Sequence, residues 1–161
     1  MSYDSQGVKA RFQAAVDRLA ARLEEDYYVL AAVLYGSVAR GEPWERSDID
    51  LIIVLRDGQE RANRNIWLVE DDLNVSAELI TRGSFKRGLE STLQGSMFHS
   101  IRSQFRLLFS KDETITAWLS EPASRLAATS SADVASWLRH SRAAVSVGGR
   151  ESDKEVSFLS R

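Results

Sequence analysis

The pattern of apolar residues predicts an amphipathic helix followed by two buried strands. Residues 5–26 carry apolar side chains at helical spacing, with charged side chains between them, which is typical of a helix that covers a sheet. Residues 29–34 and 51–55 are short and almost wholly apolar, as buried strands are. We expect the second strand to start at Asp48 and to end at Leu55, before a turn at Asp57-Gly58.

The next part of the chain predicts a hairpin. Residues 65–69 and 74–80 resemble strands and are separated by the polar tetrad at residues 70–73. In the second arm, Val75, Ala77 and Leu79 alternate with Ser76, Glu78 and Ile80, so the two sets face opposite sides of the sheet. Three further elements are predicted: a helix at residues 84–103, an edge strand at residues 105–109 and a helix at residues 113–119.

These elements predict an α/β (α+β) fold, in which helices pack on a small mixed β-sheet and further helices follow at the C-terminus. We expect one domain over residues 1–122. Residues 123–130 are small and polar and suggest a linker, and the helical pattern beyond them makes residues 123–161 a C-terminal extension. This extension resembles the start of a longer helical domain.

The composition is that of an ordinary globular protein. Of 161 residues, 43% are hydrophobic and 27% charged, and the formal net charge is −2. This charge does not call for nucleic acid as a partner. The sequence has no cysteine, which excludes thiolate chemistry and suits a reducing compartment. No apolar run approaches the ~20 residues of a membrane helix, so we expect a soluble, cytoplasmic protein with no membrane contact.

Two carboxylates at the start of the second strand are candidates for metal binding. Asp48 and Asp50 are two residues apart, so on a strand both project from one face, roughly 7 Å apart. Hard oxygen ligands of this kind suit Mg²⁺ or Mn²⁺, which complete their coordination with water and phosphate oxygens. Taken alone, such a pair is more often solvated than metal-bound.

The residues between the two strands suggest a phosphate-binding turn. Gly36 would let the backbone approach a ligand closely, and Ser37 suits the N-cap of a short helix whose free N–H groups face an anion. Arg40, one turn later, could reach the same anion. A glycine and serine after a strand are usually only a turn, and the signal comes from their order relative to Asp48 and Asp50.

In this order the residues resemble the nucleotidyltransferase superfamily, which includes DNA polymerase beta and the aminoglycoside nucleotidyltransferases. The family pattern is a strand, Gly-Ser, about ten residues, and Asp-x-Asp on the next strand. Here Gly36-Ser37 precedes Asp48-Ile49-Asp50 by ten residues, and Arg40-Gly41 and Ser47 also match common family sequences. The resemblance covers roughly residues 27–110 and implies a nucleotidyltransferase domain.

The resemblance also implies a third acidic residue on a later strand. Glu78 lies among apolar residues of the hairpin's second arm, whereas Asp71 and Asp72 fall in the turn, so we favour Glu78 over them as the third acid. The alternative interpretation of Glu78 is a solvent-facing strand residue. The implied catalytic residues and metal ligands are then Asp48, Asp50 and Glu78. The implied nucleotide-binding residues are Gly36, Ser37, Arg40 and Ser47.

What the resemblance implies is a metal-dependent transfer of a nucleoside monophosphate, with AMP from ATP as the first choice, to an acceptor hydroxyl. The metal would be Mg²⁺ or Mn²⁺. Three interpretations of the acceptor stay open: an aminoglycoside-like small molecule, a helical HEPN-type toxin modified by a minimal antitoxin-type enzyme, or no acceptor in a non-catalytic nucleotide-binding domain. Nucleic acid is disfavoured, because the chain leaves no room for the domains that would bind it.

Other polar residues carry weaker hypotheses. A run of basic residues near the predicted helix at 84–103 is interpreted as a solvated face, with contact to triphosphate or nucleic acid as the alternative. Trp44 could border the nucleotide or simply pack, and His99 and His140 are not interpreted as ligands. The basic residues are Arg82, Lys86, Arg87, Arg102 and Arg106.

Overall fold

The computed structural model describes residues 5–91, Phe98 and residues 104–121. The helices in this part of the chain are α1 (Ser5–Glu25), α2 (Gly36–Ala39), α3 (Arg82–Glu90) and α4 (Glu113–Ser120). The strands are β1 (Val29–Tyr35), β2 (Ile49–Leu55), β3 (Arg64–Glu70), β4 (Leu73–Thr81) and β5 (Arg106–Ser110). Within these residues, no helix is both long and apolar enough to span a membrane.

The five strands form one mixed sheet in the order β3-β4-β2-β1-β5. β2 and β4 are parallel, and the other neighbouring pairs are antiparallel. Both strands adjoining the predicted phosphate-binding turn, β1 and β2, are therefore interior strands. This agrees with their nearly continuous apolar sequences, since such strands are buried on both faces.

The sheet separates two apolar clusters. On one face, α1 contributes Phe12, Val16 and Leu19 to a cluster that includes the odd-numbered residues of β2, from Ile49 to Leu55. On the other face, α3 contributes Phe85 and Leu89, which join Ile52 and Val54 of β2. The alternation along one strand thus assigns each side chain to a face, and Asp50 belongs to the face of Ile52 and Val54.

The hairpin is tighter than the sequence predicted. Its turn is the two residues Asp71 and Asp72, both with positive φ (49° and 59°), rather than a tetrad, and Glu70 pairs with Leu73. α1 anchors this turn, because Arg18 and Arg22 form ion pairs with Glu70 and Arg18 also bonds Asp71. Burial alone would raise the pKa of Glu70, but the hydrogen bonds from Arg22 and Arg18 outweigh it and lower that pKa.

The predicted helix at residues 84–103 is wrong as a continuous element. α3 starts earlier, at Arg82, because the Thr81 hydroxyl caps it by accepting from the Ser84 N–H at 3.2 Å. It ends at Glu90, since Ser91 is extended (ψ 129°). The edge strand and the helix at residues 113–119 are confirmed as β5 and α4. The predicted extension at residues 123–161 lies outside the described residues.

Replacing Asp72 with glycine should stabilise the hairpin. Two-residue hairpin turns with positive φ at both positions favour glycine at the second, so we expect Asp72→Gly to raise the free energy of unfolding by about 0.5–1 kcal/mol. Urea denaturation measures the change. The matched control, Asp17→Gly within α1, should instead lower the free energy of unfolding by about 0.3 kcal/mol. A destabilising Asp72→Gly would contradict this account of the turn.

Candidate active site

The turn between β1 and α2 brings a glycine against a carboxylate. Gly36 has a φ of +76°, and a Cβ built on it would lie 2.5 Å from Oδ2 of Asp50. No side chain fits in that space, so the Asp50 carboxylate lies directly against the backbone of the turn. The structure therefore brings together the glycine and one of the two acids that the sequence singled out.

Ser37 does not cap the short helix, so that prediction is wrong. α2 starts at Gly36, and its N-cap residue, Tyr35, makes no side-chain capping hydrogen bond. The Ser37 hydroxyl instead bonds the hydroxyl of Ser47 at 3.1 Å, across the loop that follows. The reason is geometric: Gly36 already holds the first helical position, which leaves Ser37 inside the turn.

Ser47 holds the loop between α2 and β2. Its hydroxyl accepts from the backbone N–H of Trp44 at 3.0 Å, and its own N–H donates to the Trp44 carbonyl at 2.9 Å. Ser47 is buried, so the described contacts give it a part in fixing the loop that delivers Asp48. Arg40, at the end of α2, is exposed and lies 3.6 Å from Glu42. Nucleotide binding by Arg40 and Ser47 stays a prediction.

Strand register places Asp50 and Glu78 on the same face of the sheet. One row across the strands, which we call the Asp50 row, consists of Trp67, Ser76, Asp50 and Tyr35. The next row, the Glu78 row, consists of Asn65, Glu78, Ile52 and Val33. Glu78 is thus on the strand beside Asp50 and one row away, which is the side the alternation in the sequence predicted. Asp48 is exposed and precedes β2, which starts one residue later than predicted.

The electrostatics of this face reflect partial burial of its acids. Burial raises the pKa of Glu78 to about 7, because the carboxylate lies between Ile52 across the sheet and Ile80 along the strand, both fully buried. Burial, and then the charge of Asp48, raises the pKa of Asp50. Burial, followed by the charges of Asp50 and Glu78, raises the pKa of Tyr35 to about 12. The face thus concentrates negative charge that an added cation would relieve.

Sequence reasoning missed Tyr35, Trp67 and Asn65 as neighbours of the acids. Tyr35 pairs with Asp50 in the register of β1 and β2, and Asn65 pairs with Glu78 in the hairpin. The alternation that placed Glu78 also places Asn65, Trp67 and Val69 on its face, because the predicted tetrad at residues 70–73 already sets Val69 opposite Asn74, as the structure does. The usable signal was therefore the hairpin register, which the sequence analysis did not extend to the first arm.

The donor set fits a metal held jointly with phosphate. No group of three or more His, Asp or Glu residues that could hold a metal ion is found within residues 5–91 and 104–121. Mg²⁺, however, is commonly bound through one or two carboxylates and substrate phosphate oxygens. Asp48 and Asp50, close enough for the charge of one to raise the pKa of the other, meet that requirement. Metal binding by Glu78 stays a prediction.

The basic residues of α3 make contacts within the protein. Arg82 bonds Asp112 at 2.6 Å and lies over the Trp118 ring, and Lys86 lies 3.7 Å from Glu90. Arg106 is on β5, where it donates to Gln13 of α1. These contacts support the solvated or structural interpretation over contact with triphosphate. Trp44 is 55% exposed in the loop before Asp48; Arg102, His99 and His140 lie outside the described residues.

A comparison with known protein families identifies the family of this chain. The family model described as "Polymerase beta, Nucleotidyltransferase" matches residues 17–114, which is more than half of the chain and includes all five strands. The chain therefore belongs to the polymerase beta nucleotidyltransferase family. This confirms the predicted superfamily and the mixed α+β fold. A search of curated proteins found no match.

A methyl group at position 36 should displace Asp50. Gly36→Ala adds both the strain of a positive φ and a clash with the carboxylate, whereas Gly58→Ala (φ +82°, open space) adds the strain alone. We expect Gly58→Ala to cost about 1 kcal/mol of unfolding free energy and Gly36→Ala at least about 1 kcal/mol more. In an Asp50→Ala background the two costs should become equal. A difference that persists there would contradict the carboxylate contact; urea denaturation of the four glycine variants and of their parents, wild type and Asp50→Ala, measures it.

Glu78 should make the metal-free protein less stable as the pH rises. Its folded-state pKa of about 7 lies above the ordinary 4.5, so the folded state holds the proton more tightly and loses stability as the pH rises from 4.5 through 7. At 1.36 kcal/mol per pKa unit, the loss is up to about 3 kcal/mol. Unfolding followed between pH 5 and 8 in EDTA should show this slope.

The glutamine variant isolates the contribution of Glu78. Glu78→Gln should flatten the slope between pH 5 and 7, whereas Glu45→Gln, which removes an exposed carboxylate of the loop before Asp48, should retain it. Mg²⁺ added at pH 7.5 should stabilise the wild type, because it offsets the crowded negative charge. An unchanged slope in Glu78→Gln would show that the pKa of this carboxyl is not raised.

Proposed function

We propose that the protein transfers a nucleoside monophosphate, AMP from ATP in the first instance, to a hydroxyl of an acceptor molecule. Membership of the family suggests this activity, and one observation supports it: the Asp50 carboxylate lies against Gly36, and Glu78 lies one row away on the same face. This arrangement supports the proposal, because a backbone turn suited to phosphate, a carboxylate suited to a metal ion and a carboxylate suited to accept a proton lie within one small region.

Gly36 and Ser37 would hold the outer phosphates of the triphosphate. The absence of a Cβ at position 36 leaves room for the Asp50 carboxylate beside the turn, and the N–H groups at the start of a helix attract negative charge. The exposed Arg40, at the end of the same short helix, would pair with a phosphate oxygen in place of its contact with Glu42. Ser47 would support this turn through its bond to Ser37.

Asp48 and Asp50 would hold Mg²⁺ or Mn²⁺ together with phosphate oxygens. A divalent ion bound there neutralises the charge that develops on the phosphates during the transfer. The protein's own contribution is to fix the two carboxylates in advance: the hydrogen-bonded loop fixes Asp48, and the interior strand β2 fixes Asp50. Such fixed charges stabilise a transition state without reorganising during the reaction.

Glu78 would act as the general base. A pKa of about 7 suits this task, because catalytic groups work best when their pKa lies near the operating pH. The acceptor oxygen would form a bond to the α-phosphorus, the bond from that phosphorus to the bridging β-phosphate oxygen would break, and pyrophosphate would leave. The hydroxyl proton would pass to the Glu78 carboxylate.

Removing either carboxylate charge should abolish transfer without unfolding the protein. With labelled ATP, GTP, CTP or UTP and Mg²⁺, we expect Asp48→Asn and Asp50→Asn to reduce the transfer rate at least about 100-fold. The matched control, Asp17→Asn on the exposed face of α1, should transfer at the wild-type rate. Circular dichroism and thermal melting check that each variant is folded.

The same assay with different acceptors distinguishes the three interpretations of the acceptor. Aminoglycosides, tRNA and a cell lysate are added in turn, and label on a sugar or on a protein band identifies the acceptor class. Full transfer by both Asp variants would refute the metal assignment. A wild type that binds triphosphate with Mg²⁺ and transfers it to nothing would make the chain a non-catalytic nucleotide-binding domain.

A further inference from the structure

The strand β3 forms one edge of the sheet and lacks the features that usually block such an edge. Within the described part of the chain, β3 pairs with β4 alone. A free edge offers unpaired N–H and C=O groups to another strand, and proteins usually block it with charges, a proline, a bulge or a short strand. Residues 65–69 of β3 are uncharged and include no proline, and the seven residues of β3 pair with β4 without a register shift.

The opposite edge of the sheet, β5, has several of these blocking features. β5 is five residues long, begins at Arg106 and is followed by Lys111. Its pairing with β1 shifts in register between Ala32 and Val33. Of the two edges that the structure describes, β3 is therefore the one open to another strand.

The two-residue turn of the hairpin determines which backbone groups of β3 face outward. The residues that flank such a turn, here Glu70 and Leu73, form a hydrogen-bonded pair, and bonded and non-bonded pairs then alternate along the ladder. The N–H and C=O groups of Asn65, Trp67 and Val69 therefore face the free edge. The side chains of these residues are exposed as well: 72% for Trp67 and 64% for Val69.

The two ends of β3 carry opposite charges, which makes the strand complementary to itself. If two copies of β3 pair antiparallel about a two-fold axis at residue 67, Arg64 of one copy lies opposite Glu70 of the other, and the axis repeats this pair. Opposite charges directly across an antiparallel pair stabilise it. Arg18 and Arg22 already bond the Glu70 carboxylate, whose two oxygens together accept about four hydrogen bonds.

The centre of β3 is complementary in the same arrangement. Asn65 lies opposite Val69 of the other copy, and Trp67 lies opposite Trp67. Every outward N–H and C=O of the strand thus meets a partner in a hydrogen-bonded pair. The two indoles meet on the axis, where an aromatic pair across neighbouring strands adds stability.

Other registers fit less well. A shift of one residue sets outward backbone groups against groups that already bond β4. A shift of two residues in one direction sets Arg64 opposite Leu68. In the other direction it sets Glu70 opposite Ile66 and moves Arg64 past the end of the partner strand.

We propose that the β3 edge joins two copies of this chain into a dimer with one continuous ten-stranded sheet. This register keeps the two acid-bearing faces on the same side of the sheet. The Asp50 row passes through Trp67, so the two Asp50 residues lie in one row, five strand spacings or about 24 Å apart. The pairing uses none of the candidate catalytic residues, so the dimer and the proposed function can fail separately.

The interface is small, so we expect the dimer to be reversible. Three outward residues in each copy give three pairs with two backbone hydrogen bonds each, and main-chain bonds of this kind supply most of the affinity when strands join. Its apolar contacts come from the two exposed side chains of each copy, fewer than a stable interface of about 1,600 Å² provides. The Kd should therefore lie in the micromolar range.

Sedimentation velocity of the full chain, from about 1 µM to about 300 µM, covers such a Kd. The wild type should change from monomer to dimer. Trp67→Lys should stay monomeric, because it sets two ammonium groups together on the axis. The matched control, Trp44→Lys, replaces another exposed indole, 55% exposed in the loop before Asp48, and should dimerise like the wild type. Thermal melting at the lowest concentration checks that each variant is folded.

Crosslinking tests the register. The sequence has no cysteine, so introduced thiols are the only ones present. An equal mixture of Asn65→Cys and Val69→Cys should form a disulfide-linked dimer on mild oxidation, because opposite Cα atoms about 5.5 Å apart suit a disulfide. Either variant alone places its two thiols four residues apart along the strands, roughly 13 Å, and should link far more slowly. Non-reducing gel electrophoresis measures the linked fraction.

Each contrary outcome overturns a stated part of the inference. A wild type that stays monomeric at about 300 µM, a concentration well above a micromolar Kd, overturns the second copy as the partner of this edge. Dimerisation of Trp67→Lys at the wild-type Kd overturns β3 as the interface. Single cysteine variants that link as fast as their mixture overturn the register centred on residue 67.

Discussion

The contact between the Asp50 carboxylate and the backbone of Gly36 is the constraint on which the candidate site depends. It needs a residue without a Cβ at the end of β1 and an acid at the paired position of β2, and the antiparallel register supplies both by setting Tyr35 opposite Asp50. Because β1 and β2 are interior strands of a five-stranded sheet, this geometry is fixed by the core. Precise placement of charged groups of this kind is costly to achieve with loops alone.

One face of the sheet carries the apolar cluster under α1, and the other carries the acids of the candidate site. One face is closed by the apolar stripe of α1, and its rim is sealed where Arg18 and Arg22 pair with Glu70. Among the residues that the structure describes, the other face is covered only in part, by α3, α4 and Phe98, and Glu78 lies at the boundary between buried isoleucines and the part that they leave open. That boundary is the physical reason for the raised pKa of Glu78, since a carboxylate half surrounded by hydrocarbon ionises with difficulty. The proposed role of Glu78 as a general base therefore depends on where the apolar cover ends.

The sequence predicted those features of the fold that periodicity encodes. The helix α1 and the alternation that sets Glu78 on the face opposite Ala77 followed from spacings of 3.6 and 2 residues, and β1 and β2 followed from short apolar runs. The predictions that failed depended on partners distant in sequence. Ser37 bonds Ser47 rather than capping α2. The helical pattern after residue 84 continued past Ser91, where the backbone becomes extended. The row that joins Trp67 to Asp50 crosses three strands, so it required the full register, and the site roles themselves stay proposals.

The bond between the hydroxyls of Ser37 and Ser47 has a consequence for how the loop between α2 and β2 can vary in length. It closes the loop at its two ends, so the residues between them connect two points already fixed to each other. The entropy of closing a loop grows only with the logarithm of its length, so added length by itself costs little. The exposed residues Glu45 and Arg46, however, lie inside the turn that Trp44 and Ser47 close with two hydrogen bonds. An insertion between them would break the turn that fixes Asp48, so a peptide tag or a reporter at this exposed position would disturb the acids.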